Sequence, residues 1–81
     1  MLLTGVQIRA ARGMLRWSVR ETALRAGISE PTVKRFEQVD GIPPGRAQSH
    51  LDLQRAFEGA GIDFTGTPDE GPGVRWRGPV G

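Results

Sequence analysis

Three closely spaced hydroxyl residues limit this chain to short helices. Thr4 stands three residues before Gln7, and Ser18 stands three before Glu21. In that spacing a side-chain oxygen accepts from an otherwise unpaired amide of the first turn, and the Gln or Glu reaches back to the cap. Ser29 is a third cap, with Pro31 tolerated in the first turn, where its missing N–H has no helical partner. Gly27 closes what begins at Ser18, because glycine alone adopts the left-handed backbone freely. The spacing therefore predicts a helix from Thr4, a second over 19–26 and a third starting after Ser29.

Apolar periodicity orients these helices. Ile8, Ala11 and Leu15, with Met14 beside them, form one face of the first, and Arg9, Arg12 and Arg16 fall on its polar side, read as mainly solvated. Gly13 weakens that helix by about 1 kcal/mol relative to alanine. Val33 and Phe36 form the inward face of the third. The run from Asp40 to Gly45 is a loop by its Pro and Gly content. A fourth helix is expected over 46–60, with Leu53, Phe57 and Ala60 on one face and Gly61 as its stop.

The period then changes. Ile62 and Phe64 alternate with polar residues, as do Val74 and Trp76, which predicts two short strands joined by the loop 66–73. An isolated hairpin is marginal in water, so it is expected to pack on the helices or pair with another chain. The expected fold is mainly α, with four to five helices and a short C-terminal β-hairpin. It divides into residues 1–61 and a terminal strand pair, 62–81.

Composition narrows the chemistry. Cysteine is absent and His50 is the single histidine, so neither a disulfide nor a thiolate metal site is expected, and no cofactor is implied. Ser18 and Ser29 are explained as caps rather than nucleophiles, and His50 has no visible acid–base partner, so catalysis is not expected. No long apolar run opens the chain or crosses a membrane, which points to the cytoplasm. Charge is uneven: residues 1–55 hold nine Lys/Arg against five Asp/Glu, whereas 56–81 hold two against four. A positive body with an acidic tail suits an anionic partner, DNA foremost.

The stretch from Ser18 to Glu37 gathers these signals. Two short capped helices meet across a turn headed by Gly27, with the small Ala23 where they cross and Ile28, Val33 and Phe36 locking the second against the first. The N-terminal part of the third helix is left projecting outward, as a helix entering the major groove does. The phrases Arg-Ala-Ala-Arg-Gly-Met-Leu-Arg-Trp-Ser, Ala-Leu-Arg-Ala-Gly-Ile-Ser and Thr-Val-Lys-Arg-Phe-Glu make residues 3–64 resemble the Cro/phage-repressor-type helix-turn-helix regulators, the xenobiotic-response-element family. The terminal Gly-Ile-Asp-Phe and Gly-Pro-Gly-Val-Arg-Trp-Arg are similar to its small bacterial members with a C-terminal strand pair.

The resemblance implies a cytoplasmic, nucleoid-associated regulator, by default a repressor, bound to double-stranded DNA as a homodimer. It implies base contacts from Glu30, Pro31, Thr32, Lys34 and Arg35. Arg35 suits guanine, Thr32 a hydroxyl contact or a thymine methyl, Glu30 cytosine, and Pro31 an apolar contact. Phosphate contacts are expected from Arg20, Ser29 and Gln38, and the dimer contact from Ile62, Phe64, Val74 and Trp76. Trp76 is equally suited to closing the core. The chain departs from the family where many members carry glutamine, at Val19, and where Thr22 and Leu24 reverse a common apolar–polar order, which predicts an exposed Leu24. His50 also stands where an apolar residue is more usual, three residues before Leu53. The alternative is a protein-interaction module, such as an antitoxin or an adaptor for polymerase or a phage protein, that uses Leu24 and the tail.

Overall fold

A computed structural model describes residues 2–78 of the chain. Four helices, α1 (Gly5–Leu15), α2 (Val19–Ala26), α3 (Glu30–Glu37) and α4 (Ala47–Gly59), precede β1 (Ile62–Thr65) and β2 (Gly73–Trp76). The strands pair antiparallel in one two-stranded sheet.

The local caps form as the spacing predicts, with one difference. Thr4 and Gln7 make a complete reciprocal box: the Gln7 amide donates to Thr4 Oγ1 (3.1 Å) and the Thr4 amide to Gln7 Oε1 (2.9 Å). Ser18 accepts from the Glu21 amide (2.9 Å), but the Glu21 carboxylate turns away to Arg25 (2.9 Å), one helical turn on. Only half of that box is made, because a full opposite charge outcompetes a single cap amide. Ser29 Oγ accepts from the Thr32 amide (3.2 Å). Helix α4 has no side-chain cap, since Arg46 stands in the cap position.

One core runs through helices and hairpin. Leu3, Ile8, Ala11, Phe36, Leu53, Phe57 and Ile62 are buried together, with Leu15, Trp17, Ala26, Ile28, Phe64 and Val74 packed around them. Phe57 is its aromatic centre, stacked on Trp17 (centroids 5.7 Å) and edge-on to Phe64 (6.1 Å), a geometry that favours the ring quadrupoles. Trp17 is covered in turn by the Arg25 guanidinium at 4.9 Å, a cation over the face of the ring. Met14, expected beside the apolar face of α1, is exposed. Successive residues lie about 100° apart around a helix, which carries position 14 past the edge of a stripe centred on Ile8, Ala11 and Leu15.

Two polar features lock the helices to the rest. Gly5 donates to Gly41 O (2.8 Å), and a Cβ at Gly5 would lie 1.8 Å from Val39 O, so the start of α1 abuts the backbone beyond α3. Gln7 also reaches the hairpin, donating to Gly73 O (3.1 Å). Thr22 is buried yet satisfied, its hydroxyl donating to Ser18 O (2.9 Å), which lets a polar residue occupy the inward face of α2. His50 is buried against Phe36 (centroids 4.7 Å), with Nε2 3.0 Å from Pro43 O. The carbonyl can only accept, so Nε2 carries the proton, and Nδ1 has no partner among the described residues.

Candidate functional site

The site is built on α3. Val33 and Phe36 are fully buried, which anchors the back of this eight-residue helix to the core. Glu30, Pro31, Lys34, Arg35 and Gln38 are all exposed. At 100° per residue these five fall within an arc of about 140°, so they share one outward face. Thr32 lies at the margin of that face and is half-buried. Its Oγ1 is 2.8 Å from Ser29 Oγ. Ser29 Oγ is therefore occupied by the cap and by Thr32, which keeps its methyl and the remaining capacity of its hydroxyl for an outside partner. The connection from α2 to α3 is three residues, Gly27 to Ser29, with Gly27 left-handed at φ 72°.

What fixes α3 to α1 is a pair of arginines on the helix face read as solvated, and that expectation is corrected here. Arg12 grips Glu37 in a two-point fork, Nε to Oε2 at 2.8 Å and Nη2 to Oε1 at 2.9 Å, while its Nη1 donates to Trp17 O (3.1 Å). The hydrogen bonds to Glu37 raise the Arg12 pKa above its ordinary value, against the opposing effect of burial. Arg9 donates to Glu37 O and pairs with Asp40 (2.7 Å). Of the three, Arg16 alone has no ion pair among the described residues. The partners lie 25 to 31 residues away along the chain, beyond the reach of any local pattern.

These pairs sort the charges. Carboxylates of Glu21, Glu37 and Asp40 pair with Arg25, Arg12 and Arg9, and that of Asp63 is shared by Arg75 and Arg77. Among the described residues Arg16, Arg20, Lys34, Arg35, Arg46 and Arg55 have no ion pair. All six lie in the span 16–55, where Glu30 and Asp52 are the acids without an ion pair among the described residues. Every unpaired charge after Arg55, at Glu58, Asp69 and Glu70, is negative. Pairing leaves the net charge of the two parts as the sequence has it, but it shows which cations are without a carboxylate partner. Arg20 and Leu24 lie one turn apart on the outer side of α2, with Leu24 69% exposed, as its displaced position predicts.

The hairpin places the four residues expected at a dimer contact on one face. Ile62 opposes Trp76 and Phe64 opposes Val74, and cross-strand partners share a side. That side faces the helices. Ile62 is wholly buried in the core, which corrects its assignment to an interface: closing the helical core consumes it. Phe64 and Val74 are half-buried against the same core, and Trp76, 45% exposed, is the most accessible of the four. The outer side carries Asp63, paired with Arg75 (2.7 Å) and Arg77 (3.1 Å). The end of the expected terminal unit, residues 79–81, lies outside the described residues.

No helix among the described residues is long and apolar enough to cross a membrane. No protein-family model matches the chain, and no curated protein shows significant similarity to it.

Proposed function

We propose that this chain is a sequence-specific regulator of transcription that binds double-stranded DNA, inserting α3 into the major groove. The observation that carries the reading is the distribution of unpaired cations. Framework arginines are paired internally, while Lys34 and Arg35 on the outward face of α3, and Arg20 on α2, have no ion pair and are left to an external anion. Arg35 is suited to the paired acceptors of guanine, Glu30 to the amino group of cytosine, and Pro31 with the Thr32 methyl to a thymine methyl. Lys34 on that face and Arg20 on α2, as cations, and Gln38, as an amide donor, serve phosphates. One such module covers little DNA, so two copies on two half-sites supply the affinity. Trp76, with Phe64 and Val74 behind it, is the proposed contact between copies. Occupying a promoter in this way represses it.

Selection of duplexes from a random pool tests the reading. A short enriched motif that Arg35→Ala no longer discriminates from random DNA is expected, whereas Arg20→Ala weakens both alike and lowers the salt dependence by about one phosphate contact. Absence of any enriched motif overturns it. The exposure of Leu24 supports a second reading, in which α2 docks a partner protein such as a toxin or a polymerase subunit. Copurification of one defined small protein, lost in Leu24→Ser, is the result that favours it. The two roles are compatible in one chain.

A further inference from the structure

Helices α1 and α2 end in the same motif but with different residues in its critical position. The Trp17 amide donates back to Arg12 O (3.0 Å), as the Ile28 amide donates to Ala23 O (3.1 Å). Each of these six-residue closures requires a left-handed residue just past the helix. In α2 it is Gly27, at φ 72°, and in α1 it is Arg16, at φ 57°. Glycine takes this conformation without steric cost, whereas any L side chain brings Cβ against a carbonyl oxygen. Among the described residues every other positive φ belongs to glycine.

Nothing among the described residues repays that arginine. The cap bonds are made by its backbone, which glycine would supply equally. Its guanidinium is exposed and makes no ion pair or side-chain hydrogen bond with the described residues. Its position, however, is specific. Arg12 bridges the next carbonyl, that of Trp17, to Glu37, so the corner carrying Arg16 lies one side chain from the end of α3. Arg20, also unpaired, follows four residues on. Strain kept at a place where the fold gains nothing points to a partner outside the fold.

We infer that Arg16 is a DNA-backbone contact, gripping a phosphate with the planar fork of its guanidinium. This rests on the DNA-binding reading above and adds to it a residue that helix periodicity assigns to solvent. Such a role sets stability against binding at one position.

The test is a pair of substitutions read by thermal unfolding of the free protein and by salt-dependent anisotropy with two labelled duplexes, the selected motif and random sequence. Arg16→Gly is expected to raise Tm by roughly 3–6 °C through relief of the left-handed side chain. The same change lowers the slope of log K against log salt by about 0.9 on both duplexes, the loss of one phosphate. Arg16→Lys keeps the charge and the strain, and is expected to leave both Tm and slope near wild type. A glycine variant that gains stability and retains the wild-type slope overturns the inference but leaves the DNA reading intact. A glycine variant that loses stability also overturns it, by making the side chain structural. If the wild type selects no duplex, the DNA reading itself fails.

Discussion

Replacing Glu37 by glutamine tests whether the Arg12 fork fixes α3 to α1. The carboxylate side chain is 9% exposed and the guanidinium 28%, so the pair lies between the surface and the interior. Exposed pairs contribute about 0–1 kcal/mol. Removing one member of a fully buried pair costs about 3–5 kcal/mol, chiefly through the charge left behind. The intermediate exposure, with two charge-assisted bonds lost or weakened, places the cost of Glu37→Gln near 2 kcal/mol. For a domain of this size that lowers Tm by roughly 8–16 °C. Glutamine keeps the shape of the side chain but presents a donor where Arg12 also donates, so one contact becomes repulsive. Urea unfolding of wild type, Arg12→Met, Glu37→Gln and the double variant gives the coupling energy directly. A coupling above about 1 kcal/mol is expected, with the double variant less destabilised than the sum of the singles. A Glu37→Gln protein within about 0.5 kcal/mol of wild type, or a coupling near zero, refutes the tether.

Three further outcomes follow from other contacts. Gly5→Ala forces a methyl to within 1.8 Å of the Val39 carbonyl oxygen; the backbone must separate, and a loss of about 3 kcal/mol by urea unfolding is expected. Ser29→Ala removes the cap of α3 and releases the Thr32 hydroxyl, costing about 1 kcal/mol and changing the base preference recovered in duplex selection. The Asp63 pKa is lowered from its ordinary 3.8, first by its hydrogen bond to Arg75 and then by the charge of Arg77. Because the folded value is depressed, its contribution is complete above the unfolded pKa and is lost as pH falls through the folded one. Trp76 ends β2 between the two arginines, Arg75 within the strand and Arg77 just past it. Its fluorescence is expected to report loosening of the hairpin in that acid window, and Asp63→Asn should abolish that dependence while leaving the neutral-pH protein slightly less stable.

The parts of this fold that were legible in the sequence are those decided within one helical turn. Thr4 with Gln7, Ser18 with the Glu21 amide, Ser29 with the Thr32 amide, and Gly27 after α2 are contacts of three or four residues' separation. Their geometry is set by the helix itself, so residue types at fixed spacing suffice to predict them. The outward face of α3 was legible for the same reason, since burying Val33 and Phe36 leaves Lys34 and Arg35 outside. The reversed order of Thr22 and Leu24 likewise announced an exposed leucine. Misreadings began within the same range where two local partners compete, as Arg25 does with the Ser18 box for Glu21, and where a helix ends on a residue that carries no stop signal, as α1 does on Arg16.

What only the tertiary structure decided is which charges and apolar groups remain available. Arg9 and Arg12 look like solvated residues until the chain returns 25 to 31 positions later with Glu37 and Asp40. Gln7 looks like a helix cap until the hairpin, 66 residues on, offers it the Gly73 carbonyl. Ile62 looks like one of four equivalent strand residues until the helices leave a space that it fills. Hydrophobic periodicity tells a residue which side of its own element it occupies. Whether that side meets core, partner or water depends on where the other elements dock, and long-range packing sets this because apolar burial is nondirectional and indifferent to separation along the chain.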